Sequence, residues 1–210
     1  MMNTPSDTEH FPLRVWIDFV CPYCMLATKP LQTAVAGLPI RIDWMPLELR
    51  PEPAPPFRGD EPFIRNGWQQ SIYPLARQLG VEMSLPPVSP QPYTRLAFEG
   101  LQFAKQAGKG QEYGHGVFRA FFQRGENIGE IDVLTNVAAE VGLAAAEFGN
   151  ALQTGACREA HASALKITRQ LGISAVPTIM LQGQPFSGVP DASALRRALE
   201  TLLQSGSGLG

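Results

Sequence analysis

The nine residues Asp18-Phe19-Val20-Cys21-Pro22-Tyr23-Cys24-Met25-Leu26 (DFVCPYCML) place two of the chain's three cysteines three positions apart, where an apolar alternating run gives way to a helical pattern. Upstream, Leu13 to Phe19 alternates with β-branched and aromatic content, which predicts a strand with Leu13, Val15, Ile17 and Phe19 on one face. Downstream, Met25, Leu26, Leu31 and Val35 make a helical stripe over Pro22–Val35. Pro22 suits the first helical turn, where an N–H has no partner to lose. Pro30 lies inside that helix and is expected to kink it, because it removes one backbone bond and crowds the Leu26 carbonyl. Gly37 ends the helix, and Ile40–Met45 alternates again as a second strand. A strand, helix and strand in this order predict parallel pairing.

The 210-residue chain is 44% apolar, enough to fill one large domain or a domain with an insertion. Its formal charge of -2, from 17 basic and 19 acidic residues, offers no electrostatic footprint for nucleic acid. No stretch approaches the ~18 apolar residues of a membrane span. The opening MMNTPSDTEHFP lacks the basic and apolar regions of a secretory signal, so a cytoplasmic protein is expected. Three cysteines are too few for a disulfide framework, and the odd count leaves one unpaired.

The proline-rich run PLELRPEPAPPFRGDEP (46–62) is a loop, and its PxxP-like spacing, like that at 86–92, reads as loop punctuation. Helices are predicted at Phe63–Leu79, Tyr93–Ala107, Gln111–Gln123, Ile131–Val141, Ala144–Gln153 and Cys157–Leu171. Two strands follow at Thr178–Leu181 and Gln184–Ser187, then a helix at Ala192–Leu203 and a flexible tail at 205–210. The fold class is therefore α/β, ordered β-α-β, a helical block, then β-β-α. Residues 11–62 and 157–204 are assigned to one sheet-containing domain and 63–156 to an inserted helical domain.

A CxxC at the start of a helix, directly after the first strand of a β-α-β unit, motivates redox chemistry. The free N–H groups and positive helix end favour thiolate at Cys21, which can attack a disulfide sulfur. Cys24, one turn further in, is placed to resolve the mixed disulfide. The second signal is GISAVPT, 172–178. Pro177 cannot donate to a ladder, so it belongs where the next strand begins, a position that accommodates a cis peptide bond.

Together DFVCPYC, the MPLELRP that follows the second strand, the central GENIG and RQLGISAVPTIML resemble the DsbA-like branch of the thioredoxin superfamily, in particular the cytoplasmic FrnE-like oxidoreductases. The resemblance spans Arg14 to Leu203. It implies a thioredoxin fold with a large all-helical insertion and disulfide oxidation, reduction or isomerisation by Cys21 and Cys24. It further implies a cis-proline at Pro177 beside them, and Pro22, Tyr23 and Val176 in contact with substrate. Protein or small-molecule disulfides and thiols are the implied partners, with no bound cofactor, no metal, glutathione as a possible redox partner, and a monomer or homodimer. One departure is that relatives often bury a carboxylate six residues before the first cysteine, where this chain has Val15; Asp18 is the candidate substitute.

Other readings compete. Kappa-class glutathione transferases and 2-hydroxychromene-2-carboxylate isomerases are similar in fold but typically carry serine where Cys21 stands. Cys21, Cys24, Cys157 and His161 match a Cys3His zinc site by ligand type only. A metal-binding or chaperone-like module is the non-enzymatic alternative. Cys157 is expected to be a lone helical cysteine, Trp16, Trp44 and Trp68 core or groove aromatics, and His115 and His161 surface or capping residues. Glu48 and Arg50 are candidates to line the cleft.

Overall fold

A computed structural model describes residues 10–205. The sheet has the order β2-β1-β3-β4, with β1 at Phe11–Ile17, β2 at Ile40–Pro46, β3 at Thr178–Leu181 and β4 at Gln184–Ser187. β1 and β2 pair in parallel from Phe11↔Ile40 to Ile17↔Pro46, as the helical crossover α1 (Pro22–Val35) requires. β3 runs antiparallel to β1 through Val15↔Ile179 and Trp16↔Thr178, and β4 returns antiparallel to β3. This is the thioredoxin arrangement implied by the resemblance.

Leu13, Val15 and Ile17 face the main core, while Trp16 faces a smaller one with Met45, Ile173 and Met180. The strand is thus covered on both sides. Trp16 Nε1 donates to Thr168 Oγ1 at 2.9 Å, so α8 (Arg158–Gln170) is fastened across the second face. β1 ends at Ile17 rather than Phe19, and this frees Asp18 from the strand's alternation. Helix α1 runs through Pro30.

The predicted helix Phe63–Leu79 is interrupted. It comprises α2 (Pro62–Gly67), a π-helical turn at Trp68–Ile72 and α3 (Tyr73–Leu79). Pro74 has no N–H to return to the preceding turn, and the wider turn, in which the Tyr73 N–H reaches the Trp68 carbonyl, accommodates its ring. The remaining helices, α4 (Arg95–Gln106), α5 (Gly110–Phe122), α6 (Ile131–Glu140), α7 (Ala145–Thr154) and α9 (Ala192–Gln204), lie within about two residues of expectation.

One apolar cluster joins the sheet, α1 and α9 to the inserted helices, through Phe19, Trp44, Phe98, Phe118 and Phe122 among others. Gly114 permits that union, since a Cβ there would lie 2.6 Å from Trp44 Cδ1. Of the expected tail 205–210, only Ser205 lies within the described residues. Among the described residues no helix is long and apolar enough to cross a membrane.

Candidate active site

After β1 the chain turns sharply, with the Cys21 N–H donating to the Asp18 carbonyl at 3.0 Å. Cys21 becomes the N-cap of α1 in extended geometry (φ -84°, ψ 115°), and Pro22 takes the first helical position. In an N-cap the side chain overhangs the N–H groups of the first turn, here those of Tyr23 and Cys24.

The two thiols are shifted in opposite directions. Cys21 is held below the ordinary thiol range, chiefly because the Cys24 thiol hydrogen-bonds to it and then because the Cys24 and Tyr23 N–H groups do; burial and the Asp18 charge oppose this. Cys24 is pushed well above that range by burial and by the neighbouring Cys21. Cys24 is fully buried, and Cys21 is 5% exposed. Both are free thiols. The loop before β3 closes over the pair, bringing the Val176 carbonyl oxygen 3.9 Å from Cys21 Sγ, and the Val176–Pro177 bond is cis.

Asp18 is the ionisable group beneath the pair. It is 1% exposed, and its charge bears on both cysteines. Burial raises its pKa from 3.8 to about 6, against the N–H of Leu49, which donates to Oδ2 at 2.7 Å. The Thr94 hydroxyl and Val20 N–H also face the carboxylate, yet Oδ1 has no partner at hydrogen-bonding geometry among the described residues. The Val15 side chain, at the position where relatives keep their acid, is fully buried in the apolar core.

Two expectations need correction. His161 is not a surface histidine: it is 3% exposed, stacks on Phe98 at 5.6 Å, and its Nε2 lies 2.7 Å from Glu48 Oε1. Its place on the buried stripe His161, Ala164, Thr168 of α8 was available from helical spacing. Glu48 therefore faces α8 rather than a cleft. His115 is half-buried, as its surface reading allows: Nε2 lies 3.1 Å from Gln32 Nε2, the ring meets Trp44 edge-on at 5.5 Å, and desolvation lowers its pKa to about 4.

The four candidate zinc ligands are not gathered, since among the described residues no three His, Cys, Asp or Glu form a metal cluster. Cys157 is buried at the start of α8, with its thiol pushed up by burial and by the Glu99 carboxylate. Cys157→Ser is expected to leave turnover within about twofold, which steady-state assays of the variant would check.

Two cavities flank the exposed Tyr23 ring. One of about 250 Å³ is almost wholly apolar and lined by Cys21, Leu49, Phe57, Ile64, Trp68 and Ile72. Its rim carries Arg50, stacked 4.2 Å over the Phe57 ring. Trp68 and Ile72 are the buried residues of the π-helical turn, so the interruption of the predicted helix shapes this wall. The other, of about 610 Å³, is lined by Leu75, Val176, Pro177, Val189 and Asp191. Sequence reasoning missed the apolar wall, which is assembled from segments without a local motif.

Comparison with known proteins agrees with this geometry. The model of the DSBA-like thioredoxin domain matches residues 13–200. The chain belongs to the DSBA-like thioredoxin domain family. It is 42% identical over 189 residues to the uncharacterized protein YwbO of Bacillus subtilis (strain 168), covering 89% of this chain and 94% of that protein. Among solved structures, a 2-hydroxychromene-2-carboxylate isomerase superposes with a TM-score of 0.76 at 17% identity, over 93% of this chain and 97% of the other. The cytosolic disulfide reductase DsbM of Pseudomonas aeruginosa with GSH gives 0.70 at 20% identity, over 92% and 99%. These two likenesses establish shared fold. Within the DSBA-like frame, the CxxC stands at the start of α1 with the cis-proline loop opposite it.

Proposed function

We propose that this protein is a thiol–disulfide oxidoreductase of the FrnE-like kind, acting through Cys21 and Cys24 on protein or small-molecule disulfides and thiols without a bound cofactor. The observation that carries the reading is the placement of Cys21 at the N-cap of α1, with the buried Cys24 one turn inside and the cis Val176–Pro177 loop opposite; the Cys21 thiol is shifted down and the Cys24 thiol up. Cys21 Sγ attacks one sulfur of R–S–S–R, forming Cys21–S–S–R and releasing R–S⁻. Cys24 then loses its proton and attacks Cys21 Sγ, so that the Cys21–Cys24 bond forms and the second R–S⁻ leaves. The substrate gains two electrons and the dithiol loses two; the reverse sequence oxidises a substrate dithiol.

Tyr23, Pro22 and the backbone of Val176 and Pro177 form the surface on which substrate lies. The apolar cavity beside Cys21 favours an apolar group next to the reacting sulfur. A cytoplasmic setting agrees with the odd cysteine count and with the cytosolic naming of DsbM.

Equilibrating the protein with glutathione buffers and trapping thiols by alkylation tests the assignment. The expected result is a two-electron transition in which Cys21 and Cys24 are lost together and Cys157 stays reduced. Independent titration of the two would overturn it. The measured potential also sets direction, because 30 mV corresponds to about 1.4 kcal/mol for this couple. A glutathione-dependent isomerase reading rests on the shared fold with the chromene-carboxylate isomerase. Turnover of 2-hydroxychromene-2-carboxylate with glutathione would favour it; none is expected, because this chain carries the Cys21–Cys24 dithiol where those isomerases typically carry serine and no second cysteine.

A further inference from the structure

The loop that leaves β2 makes two buried contacts from adjacent residues. Leu49 gives its N–H to Asp18 Oδ2 at 2.7 Å, and Glu48 meets His161 Nε2 at 2.7 Å. The Glu48 and His161 side chains are 8% and 4% exposed. The Glu48 charge bears on Asp18, whose own charge bears on Cys21 and Cys24. Buried ionisable groups thus follow one another in a file from the dithiol to α8, Asp18 and Glu48 being joined through the adjacent Leu49 N–H. Asp18 Oδ1 and His161 Nδ1 both lack a hydrogen-bond partner among the described residues. Buried polar atoms left so are costly, which marks the file as more than packing.

We propose that Glu48 and His161 are positioning residues for the resolving step: the pair holds the Leu49 N–H on Asp18 and fixes the charge beside it, and so governs transfer of the Cys24 proton. This rests on the disulfide-exchange reading above. In that step the Cys24 S–H proton passes to the Asp18 carboxylate, Cys24 S⁻ attacks Cys21 Sγ, the Cys21–S–R bond breaks and R–S⁻ departs with the electron pair. Asp18 must be ionised to accept the proton, so resolution accelerates as pH rises through its pKa of about 6. A second carboxylate nearby makes Asp18 harder to ionise.

The other charged groups around the file are engaged elsewhere. Glu99 of α4 lies 3.8 Å from Arg158 of α8 and beside Cys157, and Arg95 of α4 lies 3.8 Å from Glu52. The remaining groups bearing on Asp18 are the Thr94 hydroxyl, the Val20 N–H and the two thiols.

The test is stopped-flow reaction of the reduced protein with dipyridyl disulfide from pH 4.5 to 8. The first released thiopyridone reports attack by Cys21 and the second reports resolution by Cys24. Glu48→Gln keeps an oxygen for His161 and deletes the charge. It is expected to lower the midpoint of the second phase by about half to one pH unit, making resolution about three- to fivefold faster near pH 5, with the first phase changed less. His161→Phe keeps a ring against Phe98 and removes the hydrogen bond, and it too is expected to displace the midpoint. In an Asp18→Asn background Glu48→Gln should change neither phase.

Native midpoints in both single variants, with both phases slowed alike or with lower thermal stability alone, would reduce the pair to a structural tie and overturn the proposal. A native protein that shows no first phase would instead sink the exchange reading itself.

Discussion

Cys21→Ser protein is expected to form no mixed disulfide and to lose at least about a thousandfold in exchange, the scale on which removal of a nucleophile acts. No other thiol can substitute. Cys24 is fully buried with its proton held tightly, and Cys157 is buried with its thiol pushed up. Cys24→Ser stops the reaction one step later. Its Cys21 still attacks, but the Cys24 thiol that stabilised the thiolate is now a hydroxyl, and no resolver remains. Mixed disulfides with glutathione or substrate therefore accumulate, which intact-mass measurement after mixing with oxidised glutathione would reveal at about one adduct per chain. Full turnover by Cys24→Ser protein with a dithiol reductant would refute these roles.

Asp18→Asn is expected to stabilise the folded protein near neutrality while slowing resolution. A carboxyl with a folded pKa of about 6 against 3.8 unfolded binds its proton more tightly in the native state. Between those values the native state carries more protons than the unfolded chain, so stability falls as pH rises and the cost is complete above about pH 6. The full cost is about 3 kcal/mol. Below about pH 3 both states are protonated and the cost vanishes. Asparagine is neutral throughout and keeps an oxygen for the Leu49 N–H. The stability of Asp18→Asn relative to native should therefore grow by about 3 kcal/mol between about pH 3 and pH 7.5, whatever offset the buried amide introduces. Urea unfolding of both proteins across that range measures it. A pH-independent difference would show that Asp18 is not held protonated by the fold. A buried acid retained at such a cost is what a site that must accept a proton requires.

The β-α-β opening was legible because each signal was local. Alternation gave β1, Pro22 the start of α1, and the CxxC spacing put the second sulfur one turn inside. The helical block was legible for the same reason, apart from the stretch around Pro74, where a π-helical turn replaced regular geometry. His161 was misplaced because a single histidine was weighed by residue type, when its stripe with Ala164 and Thr168 pointed inward.

The sequence by itself determined the chemistry available to this protein: two sulfurs at a helix N-terminus, a proline before a buried strand, and no ligand set elsewhere with comparable spacing. Those are properties of residue type and short separation, which local sterics and backbone hydrogen bonding impose wherever the rest of the chain goes. Only the tertiary structure decided which groups are set beside those sulfurs. Val176 meets Cys21 across 155 positions and Glu48 meets His161 across 113. The shift of Asp18 is set by what buries it, a neighbourhood drawn from the β1–α1 turn, the loop after β2 and the start of α4. Burial and charge proximity act through space and depend on which segments the core brings together, so neither can be read from the order of residues along the chain.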